Sequence, residues 1–411
     1  MINKERLLAH LNAMQTISTI EGVPGINRIA FTDEDWQGRN YLIKQLKELG
    51  LSLRMDDFGN VIGRYEGHNP DAPAIMMGSH TDSVPQGGNY DGLAGIVAAL
   101  EVISDLKESK ERLEHPLDIV LFMCEESSRF GSATLGSQAM RGQLSHERLQ
   151  TLRDKKGLSL YEVLKERGFN PDTIPHAKFT TPLKAFLELH IEQGIVLEKT
   201  NHTIGIVTGI AAPTRYKVHI HGTADHSGAT PMNHRHDGLC AAAEIILAAE
   251  RIAQNSKPIP VVATVGVIEA APGAMNVIPG EVTLGLDIRS ISAEAKTRAT
   301  QDILHAISEV GHQREIPIDT TLIADEMPLM VKDSMIKAME TVAQAKQYNY
   351  MTLPSGAGHD AMNWGDYTDV GMIFIPCRAG VSHNPAEAID IQDLVTGTKY
   401  LKDLILYLDQ Q

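Results

Sequence analysis

Cysteine is scarce, with three in 411 residues (Cys124, Cys240 and Cys377) lying far apart. Such spacing fits neither a disulfide framework nor a zinc-finger pattern, which argues against a bridge-stapled secreted scaffold. No stretch approaches the ~20 consecutive apolar residues that a membrane span requires. The start, Met1-Ile2-Asn3-Lys4-Glu5-Arg6, lacks a basic region followed by an apolar run, so no signal peptide is read there. Positive charge is also short: 37 Lys and Arg stand against 52 Asp and Glu, a formal net charge of −15. Phosphate binding normally needs a basic face, so neither nucleic acid nor an anionic membrane is an expected partner. The cytoplasm is the simplest location on this reading.

What is present is ordinary for a globular chain: 43% hydrophobic and 22% charged residues, enough apolar content to exclude a disordered one. The length exceeds what one core usually supports, so two domains are expected. Apolar runs read as strands at Leu51 to Met55, Val61 to Tyr65, Ala74 to Gly78, Asp118 to Cys124, Ala185 to Leu189 and Met372 to Pro376. Helical spacing marks Asp35 to Leu49, Leu93 to Leu106, Ile336 to Ala345 and Leu394 to Leu408. Strands alternating with helices predict an α/β layer with a mainly parallel sheet. The middle of the chain reads differently. Strands at Thr214 to His221, Val261 to Ile268, Val282 to Ile288 and Pro317 to Ile323 are interspersed with helices at Gly238 to Ile252 and Ala293 to Val310. The expected fold is therefore an α/β domain over 1–211 and 328–411, flanked by helices and interrupted by an inserted α+β domain over 212–327.

The chemistry gathers where apolar strands end. Ala74-Ile75-Met76-Met77 runs into Gly78-Ser79-His80-Thr81-Asp82, and Ile119-Val120-Leu121-Phe122-Met123 runs into Cys124-Glu125-Glu126. Phe186-Leu187-Glu188-Leu189 runs into His190-Ile191-Glu192, and Met372-Ile373-Phe374-Ile375 leads towards Ser382-His383-Asn384-Pro385. Ligands of open α/β sheets bind beyond the carboxyl ends of the strands, so four strands would deliver three histidines and a Glu pair to one rim. Imidazole with carboxylate suits zinc or a similar first-row ion. Two neighbouring ions need a bridging anion, and Asp91, in the glycine-rich Gly87-Gly88-Asn89-Tyr90-Asp91-Gly92, is the candidate. Asp82, two residues after His80, is placed to accept a hydrogen bond from the ring nitrogen that faces away from a metal. Taken singly, each His is more often a hydrogen-bonded core or surface residue, and each acid a solvated one. The joint placement at strand ends is what favours a metal site. His219 and His221, two apart on one strand, invite a further metal site but read better as exposed strand residues.

These stretches, together with Asn89-Tyr90-Asp91-Gly92, Glu188-Leu189-His190-Ile191-Glu192-Gln193-Gly194, His226-Ser227-Gly228-Ala229-Thr230-Pro231-Met232 and Val381-Ser382-His383-Asn384-Pro385-Ala386-Glu387, resemble the M20 metallopeptidase superfamily. Within it they resemble the branch of N-carbamoyl-L-amino acid hydrolases, β-ureidopropionases and allantoate amidohydrolases. His190 in its Glu-Leu-His-Ile-Glu-Gln-Gly setting points to that branch. The resemblance, which spans nearly the whole chain, implies two divalent ions per subunit, zinc foremost with manganese, cobalt or nickel as alternatives. It implies His80, Asp91, Glu126, His190 and His383 as their ligands, with Asp91 bridging. Glu125 would be the general base and His226 a stabiliser of the developing oxyanion. Asn276 and Arg289 would grip a substrate carboxylate, with His359 and, more weakly, Gln193 as further substrate contacts. The inserted domain resembles the family's dimerisation and lid domain, which implies a homodimer. The family usually has glycine after the Glu pair, where this chain has Ser127. The implied reaction is hydrolysis of an N-carbamoyl-L-amino acid to the amino acid, carbon dioxide and ammonia. Alternatives are allantoate as substrate, an aminoacylase or dipeptidase activity, or a non-catalytic metal-binding module. The stretch Ser128 to Ser137 looks more like the carbamoylases, and an intact Glu125 favours an enzyme.

Overall fold

The computed structural model describes residues 1–411. They form two compact units, one of Met1–Thr208, Val331–Leu353 and Gly358–Gln411, the other of Gly209–Met330 with Pro354–Ala357.

The larger unit is built on a sheet whose centre is parallel. Leu117–Phe122, Ala74–His80, Leu183–Ile191 and Asp369–Ile375 lie side by side in that order, each parallel to the next. Antiparallel strands flank this centre: Val61–Tyr65 and then Ser52–Met55 on one side, Ile204–Ile210 on the other. Every residue of Ala74–His80 and Leu117–Phe122 is buried, which is why these strands read as continuous apolar runs and not as alternating ones. Helix Leu93–Glu108 is buried almost all round and lies against the central strands and helix Ile391–Asp409. This is the α/β layer anticipated, with antiparallel edges that strand periodicity alone could not rank. Helix Lys4–Ser18, unanticipated, buries Leu7, Leu11 and Met14 along one face and packs against helices Asp33–Glu48 and Leu93–Glu108.

The smaller unit is a four-stranded antiparallel sheet in the order Ile318–Asp325, Ala212–His221, Glu281–Ser290, Val262–Ala271. Along Glu281–Ser290 burial alternates residue by residue, the mark of a sheet covered on one face. Val282, Leu284, Leu286 and Ile288 point to the side where helices Gly238–Asn255 and Ala293–Arg314 pack. His221 stands between Glu281 and Asp319 at 3.0 and 3.1 Å, and His219 Nδ1 lies 3.1 Å from Thr283 Oγ1, so each ring has a partner of its own on the strand surface.

Candidate metal centre and associated residues

The parallel strands of the larger unit present their carboxyl ends to one rim, and the predicted ligands stand there. His80 is the last residue of its strand, and His190 the last but one of Leu183–Ile191. Strand Leu117–Phe122 ends earlier than expected because Cys124 takes a left-handed φ of 59°, which turns the chain and sets Glu125 and Glu126 on the rim. Asn60 holds this turn: its Oδ1 accepts from the Met123 N–H at 2.9 Å and its Nδ2 donates to the Gly136 carbonyl at 3.0 Å. Ser127 needs no left-handed backbone, so a side chain replaces the family's glycine there without strain.

Asp91 is the hub. Its Oδ1 lies 3.2 Å from His80 Nε2 and 3.1 Å from His190 Nε2, while its Oδ2 lies 3.2 Å from His383 Nε2. His383 Nε2 is also 3.2 Å from Glu126 Oε1. Two clusters result, His80–Asp91–His190 and Asp91–Glu126–His383, each with ligand atoms within 4.8 Å of one another. One carboxylate thus serves both clusters, an oxygen to each. Gly92 makes this possible: its φ is +66°, and a Cβ there would meet the His80 ring at 2.5 Å.

The donor set fits divalent cations. His80 Nδ1 donates to the Asp82 carbonyl at 3.0 Å and His190 Nδ1 to the Ile191 carbonyl at 2.8 Å. These bonds fix the tautomers and leave both Nε2 atoms as acceptors beside Asp91 Oδ1, that of His190 also taking the Gly92 N–H at 3.1 Å. Lone pairs facing a carboxylate oxygen repel unless a proton or a cation sits between them. The same frustration shows in the ionisation. Burial opposes charge on His80, yet hydrogen bonding to Asp91 and the Glu125, Asp82 and Asp91 charges raise its pKa well above the usual range. Hydrogen bonds to Asp91 and Glu126 push His383 up to about 11. Burial drives Asp91 up, but the His190 charge and the bonds to His190, His383 and His80 together hold it well below the ordinary carboxylate range. Burial also lifts Glu125 well above its usual value, with His80 opposing and Glu126, Asp360 and Asp82 adding to the rise. Cations at the two clusters would take over the work now done by protons.

The role anticipated for Asp82 needs correction. Its backbone carbonyl, not its carboxylate, receives the His80 ring; the carboxylate Oδ1 stays 3.8 Å from Nδ1. The carboxylate instead accepts the backbone N–H groups of Glu125 and Glu126 at 3.1 and 3.0 Å. Gln193, anticipated at the substrate, donates from Nε2 to Asp91 Oδ2 at 2.7 Å, so it supports the hub. His359 is buried, with its ring edge-on to His190 at 4.5 Å between centroids. Burial and the neighbouring His190 charge hold its pKa well below the usual range, so it is neutral. Fully buried Arg39 was missed by sequence reasoning. It donates to Thr81 Oγ1 at 2.8 Å and to the Phe122 carbonyl at 2.9 Å, tying the His80 loop to the Glu125 loop. Arginine in a helix reads as surface charge until the fold is known.

His226, Asn276 and Arg289 belong to the smaller unit. His226 pairs across a two-residue ladder with Val277, and the Ser227 N–H donates to the Asn276 carbonyl at 3.0 Å, so His226 and Asn276 are neighbours. Arg289 is engaged: Nε donates to Asp287 Oδ1 at 2.7 Å and Nη1 to the Gly356 carbonyl at 3.2 Å. The ion pair that an isolated arginine would be expected to form is thus present.

A strand-end cluster of histidines and carboxylates sharing one aspartate is a set of groups able to hold divalent ions. The model of Peptidase family M20/M25/M40 matches residues 76–407, and the chain belongs to that family; it is a metal-dependent enzyme acting on amide bonds. It is 38% identical to an N-carbamoyl-L-amino-acid amidohydrolase of Pseudomonas sp. (strain NS671) over 98% of each chain. With an allantoate amidohydrolase of Escherichia coli (strain K12) it shares 34% identity over 93% of this chain and 92% of the other. The crystal structure of a hydantoinase/carbamoylase family amidase from Burkholderia multivorans superposes with a TM-score of 0.91 at 31% identity, covering 100% and 98% of the two chains. No helix is long and apolar enough to cross a membrane.

Proposed function

We propose that the protein hydrolyses the ureido C–N bond of N-carbamoyl-L-amino acids, releasing the amino acid, carbon dioxide and ammonia, with two divalent ions per subunit. The observation that carries the two-ion reading is the division of Asp91: one oxygen faces His80 and His190, the other faces His383. Bound there, divalent ions, zinc foremost with manganese, cobalt or nickel as alternatives, would polarise the scissile carbonyl and acidify a water. Glu125, held in place through its backbone by Asp82, would accept a proton from the attacking water and pass it to the leaving nitrogen. His226 donates to the developing oxyanion. Asn276 and Arg289 hold the substrate carboxylate, the guanidinium through the fork geometry that suits carboxylates. Asp287 then acts as the resting partner of Arg289 and sets its orientation. The ureido preference is supported by His190 in its Glu-Leu-His-Ile-Glu-Gln-Gly setting and by the activity named for the Pseudomonas relative. Allantoate is the rival substrate, supported by the Escherichia coli relative. Ammonia release from N-carbamoyl-methionine and from allantoate by metal-loaded protein separates the two; turnover of allantoate alone would overturn the preference.

A homodimer through the smaller unit is part of this reading. Strand Val262–Ala271 lies at the edge of its sheet and is exposed along most of its length, with Val262, Val267 and Ile268 among the exposed apolar residues. It carries one charged residue, Glu269, whereas free edges are normally blunted by charge or proline. Edge-to-edge pairing of two copies would satisfy it. A single monomeric boundary in sedimentation at micromolar concentration would refute the dimer.

A further inference from the structure

Glu387 lies four residues beyond His383, in the loop that follows strand Asp369–Ile375. It is buried, and its side chain reaches the loop that carries the hub aspartate, nearly 300 residues earlier. Its Oε1 accepts the backbone N–H groups of Tyr90 at 2.9 Å and Asp91 at 3.1 Å. Its Oε2 lies 2.9 Å from Ser382 Oγ, which also lies 3.0 Å from Asp91 Oδ2. The fit is close: a Cβ on Gly88 would fall 2.1 Å from the Glu387 carboxyl carbon, so glycine at 88 is required for the contact.

We propose that Glu387 is the positioning residue that clamps the Asp91 loop to the His383 loop and so assembles the Asp91–Glu126–His383 cluster. The inference rests on the two-ion reading above. The two clusters depend on different parts of the fold. His80 and His190 stand on neighbours in the central sheet, the parallel strands Ala74–His80 and Leu183–Ile191, so their separation is set by the strand ladder. His383 stands on a loop, is about half exposed and has a left-handed φ of 54°. No ladder fixes its distance to Asp91. Carboxylate bonds to two successive backbone N–H groups are charge-assisted and directional, and Glu387 makes them from the same loop that carries His383. Loss of the clamp therefore weakens the His383 cluster more than the His80–His190 cluster, which shares Asp91 but keeps its two histidines on paired strands.

The test is metal stoichiometry and affinity, by elemental analysis and chelator competition with zinc, on the full-length wild type, Glu387→Gln and Glu387→Ala. The wild type binds two ions. Glu387→Gln keeps an acceptor for both N–H groups and also binds two, whereas Glu387→Ala retains one tightly and binds the second about 10- to 100-fold more weakly, the usual cost of losing an outer-shell partner. Two ions of unchanged affinity in Glu387→Ala, or equal weakening of both, would overturn the clamp. A wild type that binds fewer than two ions would instead overturn the two-ion reading. Should Glu387→Ala not fold, hydrogen exchange on the metal-free wild type decides: slow exchange at Tyr90 and Asp91 is expected, and exchange at open-loop rates refutes the clamp.

Discussion

The Asp82 carboxylate accepts the backbone N–H of Glu125 at 3.1 Å, so the group at the end of one central strand holds the proposed base at the end of the next. A carboxylate with both oxygens on successive amides fixes a peptide plane more firmly than a neutral acceptor does. Asp82→Ala is expected to lower kcat by about 10- to 100-fold with little change in KM. Steady-state kinetics at saturating metal checks this; a rise in KM alone would assign Asp82 to substrate binding.

Glu125→Gln keeps the size and hydrogen-bonding reach of the side chain but removes the proton acceptor. Activity is expected to fall by about 10²- to 10⁴-fold, the usual contribution of a positioned base, while metal content stays at the wild-type value. Paired ammonia-release and elemental measurements test both halves, and turnover near wild type would exclude Glu125 as base.

Removing the ions with a chelator is expected to abolish turnover, and restoring them to raise the melting temperature; ligand at about a thousandfold over its Kd stabilises by about 4 kcal/mol. The pH dependence has a definite sign. Hydrogen bonds to Asp91 and Glu126 raise His383 to about 11, and His80 is raised as well, by Asp91, Glu125 and Asp82 against the effect of burial. Protons held by these rings at neutral pH must leave before Nε2 can bind an ion. Ion affinity should therefore increase as pH rises from about 6 to about 8, with protons released on binding. Chelator competition at several pH values and a weakly buffered indicator assay measure the two effects.

Gly92→Ala places a Cβ 2.5 Å from the His80 ring and puts a side chain at a φ of +66°. The left-handed backbone alone costs about 1–2 kcal/mol. The expected result is a folded protein with weakened metal binding at the His80 cluster and activity reduced by at least about tenfold. Unchanged affinity would show that the loop can shift aside.

Much of the fold was legible because burial leaves a mark on composition. The wholly buried strands Ala74–His80 and Leu117–Phe122 appear as unbroken apolar runs, and the one-sided Glu281–Ser290 as an alternation. Helix Lys4–Ser18 was missed, its charged face diluting a narrow apolar stripe of Leu7, Leu11 and Met14. The strand-end histidines and acids were legible as a pattern, and structure brings His80, Asp91, Glu126, His190 and His383 together. Roles that depend on which atom of a residue points where were not legible. Spacing placed Asp82 beside His80, but a two-residue interval does not say whether carbonyl or carboxylate makes the contact. Gln193 has left-handed φ, a backbone state that sequence does not announce and that turns the side chain to Asp91.

The sequence by itself determined which residues can take part, because strand burial, loop glycines and the kinds of side chain at strand ends are local properties written in composition and order. Tertiary structure alone decided which atoms meet: Glu387 reaching Asp91 and Arg39 reaching Phe122 join points nearly 300 and more than 80 residues apart. Contacts of that kind are set by the register of the sheet and the course of the loops. No local pattern encodes them, since a buried carboxylate or guanidinium becomes affordable only once the fold supplies its partners.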